Sequence, residues 1–124
     1  MKYVYNKLVR DKIVENINSQ EGKKANFRVL NDGEYIEELN KKLLEETHEF
    51  IEQNEEEELA DIMEVLENIT RIKEINWDNV RKIQEEKKNE KGVFLEKIYL
   101  ECVEEEKRNS QEEQELNKPW RKNN

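Results

Sequence analysis

The chain has 124 residues, of which 34% are hydrophobic and 43% are charged, and its formal net charge is -9. This length predicts one domain, and the few apolar side chains predict either partial disorder or a core shared between copies in an oligomer. The negative charge argues against general nucleic-acid binding, while the lone cysteine and the lack of a long apolar run predict a cytoplasmic protein with no membrane span.

Helices are the predicted secondary structure, because the whole chain has only three glycines and one proline. Apolar residues recur at helical spacing in four segments. Asp32 is the predicted N-cap of the second helix. The connection around Asn54 is short, which predicts that the second and third helices are antiparallel neighbours. The predicted helices cover residues 7–18, 33–53 and 56–75, and a segment that begins near Asn76 or Asp78 and fades into residues 85–92.

Two short segments are rich in residues that favour strands: 25–30 (ANFRVL) and 92–101 (GVFLEKIYLE). They are predicted to pair with each other. The expected fold is therefore all-α, an antiparallel bundle of about four helices with a small two-stranded β addition, and it covers residues 1–101. The polar segment 102–124 is predicted to be a loosely ordered tail or a frayed helix.

The middle of the chain carries an unusual run of acidic residues. Between Leu43 and Thr70 there are eleven acidic residues and no Lys or Arg. The common interpretation of such a run is a solvated helix face. The alternative is that a positively charged group, which the chain itself does not supply, binds there.

Helical geometry tests which of these acids face inward. At about 100° per residue, Glu46 and Glu49 lie about 60° and 120° from the centre of the apolar stripe of the second helix. Glu58 and Asp61 lie about 50° and 110° from the corresponding centre of the third helix. Two antiparallel helices with these pairs bring four carboxylates together at one edge of their interface.

Four partly buried carboxylates repel one another, and no Lys or Arg stands between residues 43 and 70 to relieve this repulsion. A hard divalent cation would relieve this repulsion. Mg²⁺ prefers oxygen ligands and often shares its coordination shell with substrate phosphates, and Mn²⁺ is a plausible substitute. A magnesium site therefore competes with the solvated face as the interpretation of the acidic run.

The acid pairs stand in LLEETHEF (residues 43–50) and ELADIMEVL (58–66), and YNKLVRDKI precedes them at residues 5–13. This combination resembles the all-α nucleotide pyrophosphohydrolases, the group with MazG, dimeric dUTPases and phosphoribosyl-ATP pyrophosphohydrolase. It is most similar to the small MazG-like branch that opens with YNKLVRDKI. The chain departs from that branch at Val14, where relatives commonly have Pro, and in the KGVF sequence at residues 91–94.

The resemblance implies hydrolysis of a nucleoside triphosphate to the monophosphate and pyrophosphate, and a role in removing noncanonical nucleotides. It implies that Mg²⁺ binds Glu46, Glu49, Glu58 and Asp61, and that Glu46 or Glu49 orients or deprotonates the attacking water. Arg10 is the leading phosphate ligand, since Arg suits bidentate phosphate contacts. Asp11 would orient Arg10 or its neighbour Lys12. The full set of candidate phosphate-binding cations is Lys7, Arg10, Lys12, Lys87, Lys88 and Lys91. The protein is expected to be a homo-oligomer, a dimer or a tetramer.

Other interpretations remain open. The chain could be a non-catalytic, acidic helical module that acts in assembly or as an adaptor, or a family member that binds nucleotide without hydrolysing it. The cations near Arg10 would then be the polar face of the first helix. His48 is expected to be an exposed residue, Trp77 a packing anchor and Cys102 an incidental thiol.

Overall fold

The computed structural model describes residues 1–107, and within them the chain is mainly helical, as predicted. Residues 108–124 of the predicted tail lie outside the described residues, and residues 102–107 have no regular secondary structure. The chain divides into two compact units, Met1–Lys87 and Lys88–Asn124. The four helices are α1 (Ile13–Asn18), α2 (Asp32–Gln53), α3 (Glu56–Ile72) and α4 (Trp77–Lys91).

The antiparallel pair of α2 and α3 is the main packing unit of the fold. Asn54 ends α2 in the left-handed conformation, with φ 56° and ψ 35°, and its N–H donates to the carbonyl of Phe50. Asn tolerates this conformation better than most residues, so it reverses the chain within a short turn. Helix α3 then begins at Glu56. The predicted antiparallel neighbours are confirmed.

The hydrophobic core lies between α2 and α3 and is small. Its buried apolar side chains are Leu39, Val65 and Ile69. Four partly buried side chains pack against them, Leu8, Tyr35, Leu43 and Ile72. Leu8 matters for the site, because it anchors the N-terminal segment on this pair of helices.

The first helix is shorter than predicted. It begins at Ile13 instead of residue 7, and residues 7–10 are not helical. Two tertiary contacts account for this difference: Leu8 packs on the core, and the Arg10 side chain binds Asp61. Such contacts override a local helical preference, which is worth less than about 1 kcal/mol per residue.

Two helix ends also differ from the sequence prediction. The N-cap of α2 is Asn31 and not Asp32, and its side-chain oxygen accepts the backbone N–H of Glu34 at 2.9 Å. Helix α3 ends at Ile72, three residues before the predicted end. There Glu74 adopts a positive φ of 56°, and the N–H of Ile75 donates to the carbonyl of Thr70. This hydrogen-bond pattern closes a helix with a left-handed residue.

The predicted two-stranded addition was wrong. Residues 25–30 and 92–101 form no strand, and residues 1–107 contain none elsewhere. Side chains of both segments, such as Phe27, Val29 and Tyr99, are largely exposed. A strand is stable only in a ladder with a neighbour, so β-forming side chains without a paired backbone leave the chain irregular.

The N-cap of α2 gives a prediction for the stability of the protein. Replacing Asn31 by Ala removes the side-chain acceptor for the N–H of Glu34, which should lower the free energy of unfolding by about 1 kcal/mol. Asp32→Ala removes only a charge from the first turn and should cost roughly half as much or less. Urea unfolding followed by circular dichroism measures both variants. A larger loss for Asp32→Ala would contradict the assignment of the cap.

The described residues contain no helix that is both long and apolar enough to cross a membrane.

Candidate functional site

Four carboxylates, Glu46, Glu49, Glu58 and Asp61, lie on the two packed helices, and we call them the acidic edge. Glu46, Glu49 and Asp61 are partly buried, and Glu58 is buried with only 5% of its surface exposed. Their outward neighbours on the same helices, Glu45 and Glu57, are exposed. The burial pattern therefore follows the predicted orientation of the two acid pairs.

Two oxygens of the acidic edge are buried without any hydrogen-bond partner. They are Oε2 of Glu46 on α2 and Oε2 of Glu58 on α3. A buried polar atom that lacks a partner costs about 1–3 kcal/mol. Folded proteins satisfy nearly all such atoms, so an unsatisfied carboxylate oxygen at this place requires a reason other than stability.

The charges of the acidic edge act on one another. The pKa of Glu46 is raised from its ordinary value, first by burial and then by the negative charges of Glu49 and Asp61. Lys42 opposes this effect, although its own ion pair, 3.8 Å long, is with Glu45. The effect of Asp61 on Glu46 means that acids from both helices share one electrostatic environment.

One candidate phosphate-binding cation reaches the acidic edge. Nη2 of Arg10 donates a hydrogen bond to Oδ1 of Asp61 at 2.7 Å, across 51 residues of sequence. The packing of Leu8 on the core brings this segment against α3. The sequence prediction had Asp11 orient either Arg10 or Lys12, and in the structure the partner of Arg10 is Asp61. Periodicity carries no signal for such a distant pair.

The other five candidate cations are exposed lysines, at residues 7, 12, 87, 88 and 91. Lys7 and Lys12 are exposed and flank Arg10 on the N-terminal segment. Lys87 is exposed near the end of α4, in the first compact unit. Lys88 and Lys91 are also on α4 and exposed, but they belong to the second unit. Their predicted contacts with phosphate stay predictions.

The acidic edge fits a divalent cation in its chemistry. All four side chains offer carboxylate oxygens, the ligands that Mg²⁺ and Mn²⁺ prefer, and two of these oxygens are buried without partners. Within residues 1–107, no three His, Cys, Asp or Glu side chains converge closely enough to hold an ion. Like charges in a partly buried site repel one another, so convergence of the acidic edge requires a cation to neutralise it.

His48 and Trp77 do not belong to the acidic edge. The imidazole of His48 is exposed and lies 3.0 Å from Oε1 of Glu52, one turn further along α2. Trp77 is exposed at the start of α4 and lines a groove together with Thr70 and Arg71 near the C-terminal end of α3. The expectation that His48 is a surface residue is confirmed.

Comparisons of the chain with protein-family models, with curated proteins and with solved structures gave no match. The resemblance to the MazG-like branch thus rests on the motifs in the sequence and stays a prediction.

The raised pKa of Glu46 gives a prediction for the pH dependence of stability. A carboxyl group with a raised pKa binds its proton more tightly in the folded state than in the unfolded state. Stability from this group is therefore complete below the unfolded pKa and is lost as the pH rises through the folded pKa. Glu46→Gln should unfold at a higher temperature than the wild type at pH 7, and the difference should shrink at pH 4. Thermal unfolding in EDTA at both pH values measures it. A gain that is as large at pH 4 as at pH 7 would contradict the electrostatic cause.

Proposed function

We propose that the protein is a magnesium-dependent nucleotide pyrophosphohydrolase of the MazG-like kind, which converts a nucleoside triphosphate to the monophosphate and pyrophosphate. The observation that carries this proposal is the pair of buried, unpartnered carboxylate oxygens on Glu46 and Glu58, one from each matched acid pair. A purely structural surface would leave these oxygens in water or would pair them. Removal of noncanonical nucleotides is the proposed role.

The acidic edge would hold the metal through Glu46, Glu49, Glu58 and Asp61. Bound there, Mg²⁺ supplies a Lewis acid for phosphate oxygens and lowers the pKa of a coordinated water. The burial of Glu58 on α3 supports this role, since a side chain that packing holds in place is a better preorganised ligand than a mobile one.

The proton of the attacking water passes to a carboxylate on α2, Glu46 or Glu49. The water oxygen forms a bond to the α-phosphorus, and the bond between that phosphorus and the α,β-bridging oxygen breaks. Pyrophosphate leaves with the bridging oxygen. Either carboxylate can serve as general base where it is not fully used as a metal ligand. The partial burial of both keeps bulk water from competing for the same hydrogen bonds.

Arg10 is the proposed phosphate-binding residue. Its guanidinium lies at the acidic edge and is 59% exposed, so a substrate can reach it. Phosphate oxygens would compete with Asp61 for its N–H groups, and Asp61 would thereby be released to the metal. Lys7 and Lys12 lie in the same segment and would add positive charge near the transferred group. Lys87, Lys88 and Lys91 stay phosphate-binding candidates on the sequence pattern alone.

A non-catalytic assembly or adaptor module is the second candidate function. The observation that favours it is the large number of exposed apolar side chains on the helices, including Leu44, Ile51 and Met63. A nucleotide binder without hydrolytic activity is a third candidate and would use the same acidic edge.

Pyrophosphate release decides among these functions. Canonical and modified NTPs and dNTPs are incubated with the wild type in Mg²⁺, in Mn²⁺ and in EDTA, with Glu58→Ala as the inactive control. The hydrolase proposal requires release that disappears in EDTA and in the variant. Absence of release from every nucleotide, by a protein with the expected helical circular dichroism, would overturn it. Calorimetric titration with Mg²⁺ and a non-hydrolysable NTP analogue would then separate the binder from the adaptor.

Arg10→Ala should separate substrate binding from metal binding. Loss of the guanidinium removes a phosphate ligand and should lower kcat/KM about 10- to 100-fold. The same loss removes a positive charge from Asp61 and should leave the affinity for Mg²⁺ unchanged or tighter. Arg28→Ala is the matched control, because Arg28 pairs with Glu34 away from the acidic edge. Weaker Mg²⁺ binding in Arg10→Ala would contradict this assignment.

A further inference from the structure

The groove lined by Trp77 lies within the first compact unit and is separate from the acidic edge. Its walls come from α3, from the connection that follows α3 and from the first turns of α4, and it encloses about 470 Å³. Sites for small organic ligands typically enclose about 300–1,000 Å³. The groove therefore has the size of a small-molecule site.

The groove and the acidic edge lie on opposite sides of α3. Met63 lines the groove and follows Asp61 by two residues, a separation that turns a side chain about 160° around a helix. Thr70 also lines the groove and lies seven residues after Met63, on nearly the same side of the helix. A ligand in the groove would therefore leave the acidic edge accessible.

Two arginines, Arg71 and Arg81, line the groove. Within residues 1–107, the arginines that form ion pairs are Arg10 and Arg28, so no acid of this part of the chain neutralises the two groove arginines. The whole chain has a formal net charge of -9, which makes two such arginines in one groove a local exception. Guanidinium groups bind phosphate and carboxylate groups especially well. The groove is thus suited to an anionic ligand.

A hydrogen-bond network holds Arg71 in place. Its Nη1 donates to Oδ1 of Asn68 at 2.7 Å. The amide nitrogen of Asn68 donates in turn to the backbone carbonyl of Glu64 at 2.8 Å, and its Oδ1 also accepts from the hydroxyl of Tyr35 at 3.4 Å. A guanidinium has several N–H donors, so this contact orients Arg71 and leaves other donors for a ligand.

Trp77 gives the groove an aromatic wall. Its side chain is 39% exposed at the start of α4, and Met63, Leu66 and Ile75 add apolar surface to the same groove. An exposed indole attracts planar rings, which stack on it in an offset arrangement. The sulfur of Met63 also favours contact with an aromatic ring. The groove therefore fits a ligand that has a flat aromatic ring as well as a negative charge.

The carboxylate of Glu67 restricts the ligand further. It lines the same groove as the two arginines. It would repel a small anion such as free phosphate, whereas an amino group on the ligand can donate a hydrogen bond to it. Glu67 thus favours a ligand that combines a hydrogen-bond donor with its acidic group.

We propose that the groove is a second binding site, which takes a small aromatic anion that carries an amino group. The ring of the ligand stacks on Trp77, and its amino group donates to Glu67. Its phosphate or carboxylate binds Arg71 and Arg81. The volume of the groove and the oriented guanidinium favour a small molecule over a protein partner. The proposal does not depend on hydrolase activity, because none of these residues belongs to the acidic edge.

Calorimetric titration of the full chain in EDTA tests the site. Two probes carry the required groups with different acids: adenosine monophosphate has a phosphate, and 2-aminobenzoate has a carboxylate. At least one of them should bind, and the tighter probe identifies the preferred acid. Adenosine lacks the acid and inorganic phosphate lacks the ring, so each should bind at least tenfold more weakly. EDTA removes divalent cations and so excludes binding through a metal at the acidic edge.

Arg71→Gln should raise the dissociation constant of the bound probe at least tenfold, because a charge-assisted contact with the acid is lost. Trp77→Leu should raise it by a similar factor, because the ring loses its stacking surface. Arg28→Gln is the matched control and should leave it unchanged, since Arg28 pairs with Glu34 and does not line the groove. Circular dichroism verifies that each variant is folded.

Fluorescence locates the probe without a change in the groove. The chain has two tryptophans, so Trp77 is the only one left in Trp120→Phe. The bound probe should quench the emission of Trp77 in that variant. Three results would each overturn the proposal: no binding of either probe at millimolar concentration, equal affinity in Arg71→Gln and the wild type, or binding that requires Mg²⁺. None of them would change the outcome of the pyrophosphate assay, so the two proposals are tested separately.

Discussion

Glu58→Gln is expected to abolish pyrophosphate release and, at the same time, to stabilise the metal-free protein. Glu58 is buried on α3, and its Oε2 has no hydrogen-bond partner. The amide keeps the shape of the side chain but removes a buried charge from an acidic site. We expect turnover to fall at least about 100-fold because a metal ligand is lost, and the free energy of unfolding in EDTA to rise by roughly 1 kcal/mol.

Mg²⁺ should change the thermal stability of the wild type and of Glu58→Gln by different amounts. An ion that binds only the folded state stabilises it in proportion to its affinity. Mg²⁺ should therefore raise the melting temperature of the wild type and have little effect on Glu58→Gln. Glu45→Gln is the matched control, because Glu45 is the exposed member of the doublet it forms with Glu46. It should keep both activity and the response to Mg²⁺.

The opposite pattern would sink the assignment of the site. If Glu58→Gln destabilises the protein and leaves pyrophosphate release intact, Glu58 is a structural residue whose carboxylate finds partners in solution. If both variants lose activity equally, the effect comes from the overall charge of the region and not from the inward acids. Thermal unfolding in EDTA and in Mg²⁺, together with the pyrophosphate assay, distinguishes these cases.

Leu39→Ala is expected to have the largest effect on stability. Leu39 is the most buried core residue, with 3% of its surface exposed, and it lies where α2 meets α3. Truncating a buried Leu to Ala costs about 2–5 kcal/mol. Small domains have only about 5–15 kcal/mol of stability in total, and this core is small. A large fraction of the Leu39→Ala molecules should therefore be unfolded at 37 °C.

Leu95→Ala is the matched control for Leu39→Ala, because both variants truncate a leucine to alanine. Leu95 is 83% exposed, so the same truncation should change the free energy of unfolding by less than about 0.5 kcal/mol. Urea unfolding followed by circular dichroism measures both. Equal losses for the two variants would mean that the core does not lie between α2 and α3.

Sequence reasoning was successful where structure is local. The 3.6-residue period of apolar side chains located α2 and α3 and separated the inward acids, Glu46 and Glu58, from the outward ones. A helix places each side chain at a known angle, so spacing alone determines which face a residue occupies. The small core likewise followed from composition, because few apolar residues cannot bury much surface.

The N-terminal segment shows where this reasoning fails. Its apolar spacing predicted a helix from residue 7, yet Leu8 packs on the core and Arg10 binds Asp61. The predicted strands failed for a related reason: residues 25–30 and 92–101 have the composition of strands but lack a paired neighbour. Both errors concern partners that are distant in sequence.

The sequence by itself determined the two central helices, the short turn at Asn54 and the orientation of the paired acids. Only the tertiary structure decided that Arg10 lies against Asp61, that oxygens of Glu46 and Glu58 are left without partners, and that an apolar face stays open. Helical periodicity is a property of neighbouring residues, whereas these contacts depend on how distant segments share a small core. The free energies of these contacts offset the loss of chain entropy only when they are summed over the whole fold. They therefore cannot be read from any single stretch of sequence.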